Sequence, residues 1–498
     1  MPNQAHRLWS SRSGNKMAKP TVLLIGGLDP QGCAGIIADT QAVTTHDCHP
    51  VPLITCHTEQ TSKGLTNFGA VTKDKFLSQY QSCVADFDIE AIKVGLIPNI
   101  EIANCISQII EQHDVPVVLD PVLASTSGGA SLDDDVQQFI IQNLLPKITL
   151  LTPNLPELAQ LTNNTEITKQ NLELTASSLV SKGLSACLVK GGHADSNWAS
   201  DFFKDGPNSF YCYQQKLANN VRGTGCVLAS SIASHLAHGQ DIRDAIVLAK
   251  AYIHRGIRQA ETLGSYSVFK HTMVEVELQD LPKLCYDQNL IGSQFNFPKC
   301  PNRLGIYPVV DSSEWINKLV DENIKTIQLR IKDVSVVTRR EEINKAVSYC
   351  DDSIAFFVND YWQIAIEENA YGVHLGQEDL HDANLIEIEQ AGLRLGISTH
   401  SYWELARALA INPSYIALGP IFETTSKQMP FSPQGIERVK LWTNLLGDTY
   451  PLVAIGGIDQ QRAETLKKTG VGSVAMISAI TQADDYKKTT QDLINCWQ

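Results

Sequence analysis

A chain of 498 residues is longer than one hydrophobic core usually fills, so two domains are expected; 43% hydrophobic and 19% charged residues make an ordinary α/β composition, not a disordered one. The formal charge of −14 excludes the dense basic face of sequence-independent nucleic-acid binding, so an anionic substrate has to be met by local cations or a metal. Twelve cysteines without a single C-x-x-C pair indicate neither a zinc site nor a disulfide framework, and they suit the reduced thiols of a cytoplasmic protein.

Residues 1–18 lack the apolar centre of a secretory signal and are expected to be a flexible extension. Their Arg and Ser content leaves a transit-peptide reading open, although no amphipathic apolar face accompanies it. No run of eighteen apolar residues occurs, so no membrane span is expected. From residue 19, VLLIGG, VPLI, AIKVGLI, VPVVLDPV, ITLLTP and ACLVKGG read as parallel strands, and SNWASDFFKDGPNSFYCYQQK reads as a hairpin. Helices follow at about 225–238 and 241–261. An interrupted α/β sheet with an antiparallel edge would produce this order.

The first glycine-rich turn, in VLLIGGLDPQGCAGIIAD, is not in the register of a dinucleotide fingerprint, and no P-loop motif occurs. VRGTGCVLASSIASHLAHG is more informative, because Gly223, Thr224, Gly225 and Cys226 open an apolar helix. Small residues at a positive helix end expose N–H groups to a transferring phosphoryl group, and the same field is expected to lower the Cys226 pKa. A buried small cysteine starting a packed helix is the bland alternative. Together with VLDPV (Asp120), TPNLPE (Asn154, Glu157) and VKGGH (Lys190), the series resembles the hydroxymethylpyrimidine and phosphomethylpyrimidine kinases of the ribokinase superfamily over about residues 20–262.

That resemblance implies a ribokinase-like three-layer α/β/α domain, placed at 19–265, that uses ATP and Mg²⁺. Gly27, Asp39, Gln60, Val122 and Cys226 would border the pyrimidine, with Gln60 reading its amino and ring nitrogens. Asn154, Glu157 and, more loosely, Asp120 would organise Mg²⁺ and the ATP phosphates. Lys190 and Thr224 would hold the nucleotide, and the Gly223–Cys226 turn would stabilise the transition state, with Cys226 either a base or only positional. Leu28, Gln31, Cys33 and Ile37 depart from the family's glycine-rich motif, Thr126 stands where Lys is usual, and Arg222 stands where His precedes GTGC. The resemblance also implies a homodimer.

Residues 266–301 are weakly periodic, end in GSQFNFPKCPN and are expected to be a linker. Beyond them LGIYPVV, TIQLRIK, IAFFVND, GVHLG, RLGIST, YIALGPI, PLVAIGGI and SVAMISAI alternate with helical stretches. Eight such strands in roughly two hundred residues predict a (β/α)₈ TIM barrel at 302–498, with an open doubly wound sheet as the alternative. Its chemistry should lie at the carboxyl ends of the strands. There QLRIK places Gln328, Arg330 and Lys332 on one face, two cations and an amide suited to a diphosphate, although a polar interior layer or a surface salt bridge would use the same triplet. Asp360 and Asp379 end adjacent strands, as Mg²⁺ sites require, although either could simply cap a helix. GPIFETTSK offers Thr424, Ser426 and Lys427 on a long loop, and Gly456, Gly457, Ile477 and Ser478 end the last two strands, where such barrels bind phosphate.

The set QLRIK, VND, GVHLGQED, GIS, GPIFETTSK, AIGGI and MISAI resembles the thiamine phosphate synthase family from about Leu304 to Ile480. By that resemblance Gln328, Arg330, Lys332, Asn359 and Lys427 would contact pyrimidine diphosphate, Asp360 and Asp379 would hold Mg²⁺, and Ser398 would lie near the pyrimidine ring. Thr424, Ser426, Gly457 and Ser478 would line the thiazole phosphate pocket, Ser426 replacing the commoner Thr. The expected whole is a bifunctional enzyme of thiamine biosynthesis whose first half makes the diphosphate that the second half joins to thiazole phosphate. Two other readings stay open: a degenerate kinase half that only binds ligand, and a kinase for pyridoxal-type rings.

Overall fold

The computed structural model describes residues 19–61, 64–123, 134–192, 196–219, 221–264, 266–272, 276–423 and 433–497. Thr126, Thr424, Ser426 and Lys427 lie outside the described residues, as does the 1–18 extension. The chain divides into two compact units between Gly292 and Ser293. No described helix is long and apolar enough to cross a membrane.

The first unit is built on β1 (Thr21–Leu28), β2 (His49–Thr61), β3 (Gly64–Ala70), β4 (Ala91–Val94), β5 (Val117–Leu119), β6 (Leu150–Leu151), β7 (Ala186–Val189), β8 (Trp198–Asp205) and β9 (Ser209–Gln215). The pair β10 (Glu261–Leu263) and β11 (Tyr266–Val268) precedes β12 (Lys283–Cys285). One ten-stranded sheet runs β12-β9-β8-β7-β6-β5-β4-β1-β2-β3. Its centre is parallel, while β3, β8, β9 and β12 pair antiparallel with their neighbours. The expected hairpin is therefore β8–β9. The expected linker is different: Lys283–Cys285 pairs with Tyr211–Tyr213 as the sheet's last strand, so much of 266–301 belongs to the first unit. A three-residue strand has too little periodicity to announce itself, and it is held by the edge it covers.

The central strands read as continuous apolar runs because both faces of the sheet are covered. Ile92 and Val94 join Phe76, Ile102 and Ile106 in one core cluster. Lys93, between them, points the other way, where its Nζ meets Asp39 of the helix Gly35–Thr45. The helices Gly35–Thr45, Thr224–Ala237 and Ile242–Arg258 pack together on that second face, which completes three α/β/α layers.

Buried and half-buried histidines pack within the second helical layer. His46 Nε2 lies 2.7 Å from Ser231 Oγ, its ring meets Tyr252 edge-on at 4.6 Å, and His271 Nδ1 lies 2.7 Å from the Tyr252 hydroxyl. Burial lowers the His46 pKa to about 3, helped by the charges of His238 and His271, and burial alone lowers that of His271 to about 4. Both folded values lie below the ordinary 6.5, so the unfolded chain binds more protons across that interval. Stability from each site is complete above the unfolded pKa and is lost as pH falls toward the folded value, at about 1.4 kcal/mol per pH unit per histidine. The first-unit transition in calorimetry should therefore drop in Tm as pH falls below about 6.5, and His46→Gln should flatten the slope. An equal slope in the variant would show that His46 takes no part.

The second unit is a closed parallel barrel of β13 (Gly305–Val310), β14 (Thr326–Leu329), β15 (Ala355–Asn359), β16 (Gly372–Leu375), β17 (Arg394–Thr399), β18 (Tyr415–Leu418), β19 (Leu452–Ile455) and β20 (Ser473–Met476). All eight coincide with expected strands, and β20 closes on β13 with Gly305 opposite Ser473. Tyr307, Val309, Phe357, Tyr415, Ala417, Val453 and Ala475 fill the interior. Room for the rings comes from glycine: a Cβ on Gly396 would lie 2.2 Å from Tyr415 Cζ, and one on Gly372 would lie 2.6 Å from Phe357 Cε1. All twelve cysteines of the chain are free.

Candidate active sites

In the first unit, one cavity of about 840 Å³ is lined by Gly27, Asp39, Gln60, Asp120, Val122, Asn154, Glu157, Lys190, Gly223, Thr224, Gly225 and Cys226. These residues come from strand ends, helices and turns scattered over about two hundred positions, and the sheet brings them together. Gly223 precedes the helix Thr224–Ala237 at φ +75°, and a Cβ there would lie 2.0 Å from Cys33 O, so only glycine fits this turn. Gly223, as the residue before the helix, offers no side-chain cap of its own. A Cβ on Gly225 would stand 3.1 Å from Lys190 Nζ, which places that ammonium beside the helix start.

Lys190 Nζ binds Asp120 Oδ1 at 2.5 Å and lies 3.9 Å from Glu157 Oε2. Burial opposes the Asp120 charge, but Lys190 and Lys93 outweigh it and hold the carboxyl below its usual range. Burial raises the Glu157 pKa to about 7 against the pull of Lys190, with Asp120 adding to the rise. Glu157 also closes a capping box with Asn154, whose Oδ1 accepts the Glu157 N–H at 2.8 Å while Glu157 Oε2 accepts the Asn154 N–H at 2.7 Å.

Two features depart from the sequence reading. The Cys226 pKa is raised to about 12 rather than lowered, because burial, Asp120 and Asp39 outweigh Lys93 and the Gly35 N–H. The thiol is thus protonated at neutral pH, and the helix-end field alone does not decide its state. Arg222 turns to Gln60, donating from Nη2 to Oε1 at 3.3 Å, and also donates to Thr61 O.

Sequence reasoning passed over Lys93, which is 1% exposed and ion-paired to Asp39 at 2.7 Å, with Ser230 Oγ donating to the other Asp39 oxygen at 2.7 Å. Burial alone would favour loss of its proton, yet Asp39, Cys226 and Asp120 hold its pKa above the lysine norm. Its only local signal was a cation inside the apolar run AIKVGLI. Asp29 was also missed. It accepts the N–H groups of Gln31, Cys33 and Ala34 at 2.9, 3.2 and 3.0 Å, which shapes the glycine-rich turn despite the substitutions there.

In the barrel the described candidates all lie at or just below the carboxyl ends of the strands. Asp360 takes φ 66° after β15, and its N–H donates to His374 O at 3.0 Å. Asp379 Oδ2 accepts the Gly376 N–H at 2.9 Å. Burial and the neighbouring Asp379 carboxylate raise the Asp360 pKa to about 6, while Arg330 and Lys332 pull it down. Two carboxylates and two cations therefore converge at the ends of β14, β15 and β16. Gly456 and Gly457 take φ 101° and 64°, and a Cβ would lie 2.7 Å from Pro420 Cα in the first and 2.4 Å from Glu423 O in the second. Ile455 pairs with Ala475, which sets the Gly457 turn beside Ile477 and Ser478. Gln328 does not share the rim with Arg330: it is 4% exposed, inside the barrel, with Nε2 donating to the Tyr307 hydroxyl at 3.2 Å. Ser398 Oγ meets His374 Nε2 at 2.8 Å.

Fold and sites together define a small-molecule kinase followed by a TIM-barrel transferase for phosphorylated substrates. Residues 29–271 match the phosphomethylpyrimidine kinase family, and residues 306–480 match the thiamine monophosphate synthase family. The second unit is 52% identical over 202 residues to a thiamine-phosphate synthase from Citrobacter koseri, covering 40% of this chain and 95% of that one. It is 53% identical over 199 residues to the same enzyme from Serratia proteamaculans, covering 40% and 93%. Among solved structures, the first unit is similar to a phosphomethylpyrimidine kinase from Clostridium difficile 630, at 28% identity and TM-score 0.43 over 48% of this chain and 100% of that one. It is also similar to the pyridoxal kinase of Staphylococcus aureus, at 23% identity and TM-score 0.49 over 54% and 98%. The chain belongs to the thiamine-phosphate synthase family through its second unit and carries a phosphomethylpyrimidine kinase domain before it, a bifunctional enzyme of thiamine biosynthesis.

Proposed function

We propose that the first-unit cavity transfers the γ-phosphoryl group of ATP to hydroxymethylpyrimidine and to its monophosphate, and that the barrel couples the resulting diphosphate to thiazole phosphate. The convergence of Lys190, Asp120 and the Gly223–Cys226 helix start on one cavity carries the kinase assignment. The N–H groups at Thr224, Gly225 and Cys226 and the Lys190 ammonium face the charge that develops on the transferring group. Asp39, Gln60, Val122 and Gly27 hold the ring so that its hydroxyl meets that group. Asn154, Glu157 and Asp120 supply oxygen ligands that fit Mg²⁺ with the ATP phosphates. A Cys226 thiol that keeps its proton borders the ring and positions it, and a loose phosphoryl-transfer transition state needs little help from a base.

In the barrel, the bond between the pyrimidine methylene carbon and the diphosphate oxygen breaks with its electron pair leaving on the diphosphate. The thiazole nitrogen then donates its pair to that carbon. Arg330, Lys332, Asn359 and Lys427 bind the departing group, and Thr424, Ser426, Gly457, Ile477 and Ser478 hold the thiazole phosphate. Burial and the neighbouring Asp379 charge together raise Asp360, which fits two carboxylates placed to share a cation. Among the described residues no group of three or more His, Cys, Asp or Glu side chains is placed to hold a metal, and the Asp360–Asp379 pair would share its shell with substrate phosphates. Mg²⁺ held by Asp360 and Asp379 would neutralise charge on the leaving diphosphate. We place the enzyme in the cytoplasm, as a homodimer acting on small molecules.

Product analysis of the full chain given ATP, Mg²⁺, hydroxymethylpyrimidine and thiazole phosphate should yield thiamine phosphate, ADP and diphosphate. Pyrimidine diphosphate supplied directly should yield it without ATP. Product only in the second arm would leave the first unit a binding domain.

A further inference from the structure

Lys93 is a buried cation to which phosphoryl transfer, as described above, gives no task. It is the third residue of β4, and its side chain turns toward the helices Gly35–Thr45 and Thr224–Ala237. One helix supplies Asp39, whose Oδ2 accepts from Lys93 Nζ at 2.7 Å, and the other supplies Ser230, whose Oγ donates to Asp39 Oδ1 at 2.7 Å. Among the described residues Asp39 is the one hydrogen-bond partner of the ammonium, so two of its three N–H groups are unclaimed there. An ion pair at this depth adds little to stability, because the desolvation of two charges offsets their attraction. Two apolar side chains would fill the same space at no greater cost.

The ammonium is not sealed off from the site. Lys93 lines the same cavity as Gly27 and Cys226 while only 1% exposed, so it meets the cavity through a small window. Gly95 frames that window: its N–H donates to Ile25 O at 2.7 Å, and a Cβ on it would stand 3.0 Å from Lys93 Nζ. As glycine, residue 95 has no side chain to cover the ammonium. The window lies on the acceptor side of the cavity. A Cβ on Gly26 would lie 3.9 Å from Gly95 Cα, which puts the Gly26–Gly27 end of β1 at its edge, and the helix opened by Gly223 packs on β4. Lys190 is differently placed, bonded to Asp120 and near Glu157, where the ATP phosphates are expected.

We propose that Lys93 is a catalytic residue that binds the acceptor oxygen through this window, and that its charge is what admits a phosphate monoester as acceptor. The proposal rests on the reading of the cavity as a kinase for hydroxymethylpyrimidine and its monophosphate. The acceptor atom is a hydroxyl oxygen in the first transfer and a phosphate oxygen in the second. In both, that oxygen gives a lone pair to the γ-phosphorus of ATP, and the bond from this phosphorus to the bridging oxygen breaks with its pair staying on ADP. The hydroxyl proton of the first acceptor passes to the transferred phosphoryl group, while Lys93 keeps its protons and holds the oxygen in line. The second acceptor brings about two negative charges into a cavity that Asp39 and Asp120 also line. The neutral groups around the ring cannot offset them, and Lys93 is the cation placed to do so.

The test assays the full-length enzyme with ATP, Mg²⁺ and each acceptor in turn, in unaltered form, as Asp39→Asn, and as Asp39→Asn combined with Lys93→Met. Asparagine keeps an oxygen for Lys93 in the single variant and leaves no buried charge behind in the double one, so the double variant should fold. Adding Lys93→Met to Asp39→Asn should lower kcat/KM for the monophosphate by about tenfold more than for hydroxymethylpyrimidine. An equal loss for both acceptors, or no loss, would make Lys93 a structural partner of Asp39 and overturn the proposal. Gly95→Ala leaves every charge in place and sets a methyl group at the window. It should raise KM for the monophosphate while the urea midpoint of the first unit holds, and an unchanged KM would contradict the window. If the unaltered enzyme does not phosphorylate the monophosphate at all, the reading of the cavity is at fault and the assignment of Lys93 falls with it.

Discussion

Arg330→Ala should lower kcat/KM for thiamine phosphate formation by about 10³-fold, because it removes a fixed cation from the site where diphosphate charge develops. The backbone should survive, since the Arg330 N–H that donates to Val310 O at 2.7 Å is untouched by the substitution. Arg330 is also one of two cations that pull the Asp360 pKa down, so that carboxyl, already raised to about 6, should rise further in the variant. Its remaining activity should then climb with pH over a range shifted to higher values, as Asp360 ionises later. Steady-state release of diphosphate across a pH series measures both effects. Activity within tenfold of the unaltered enzyme would remove Arg330 from the diphosphate site.

Lys190→Met should abolish phosphoryl transfer, with a loss of about 10³-fold or more, and should also destabilise the first unit by about 3–5 kcal/mol. The second effect arises because Asp120, 2% exposed and bonded to Lys190 at 2.5 Å, would be left in the interior without its nearest cation. Asp120 has a folded pKa below its ordinary value, so it contributes stability above that ordinary value and loses it as pH falls through the folded one. Without Lys190 that contribution disappears, and protonation of Asp120 relieves the variant. The stability gap between variant and unaltered protein should therefore narrow on acidification. Urea unfolding at neutral and acidic pH reads the gap directly. Asp120→Asn added to Lys190→Met should restore stability without restoring activity, and failure to restore it would mean that the buried charge is not the cause.

The barrel was legible strand by strand because each of its strands carries its own signal: a short β-branched run, a polar or glycine-rich carboxyl end and a helix before the next run. Asp360 and Asp379 followed from that register, since the end of a barrel strand has one place to go. The edges of the first sheet were harder. Gly64–Ala70 and Lys283–Cys285 are an antiparallel strand and a three-residue strand, held by partners far away in sequence rather than by a pattern of their own. Lys93 was invisible for a similar reason: in AIKVGLI it looks like an interruption, and only the helix Gly35–Thr45 brings the Asp39 that makes a buried lysine tolerable.

The sequence by itself determined the two units' classes, the eight barrel strands, the helix opened by Gly223 and a set of polar candidates at strand ends and helix starts. These are local properties: periodicity, turn chemistry and the residue types at strand ends act over a few positions. Tertiary structure alone decided the raised pKa of Cys226, the pairing of Lys93 with Asp39, the capture of Gln60 by Arg222 and the turn of Gln328 into the barrel. Each is a sum of burial and charge, or a hydrogen bond, contributed by segments remote in the chain. The field at one helix end is a local quantity; the state of a thiol surrounded by Asp39, Lys93 and Asp120 is not.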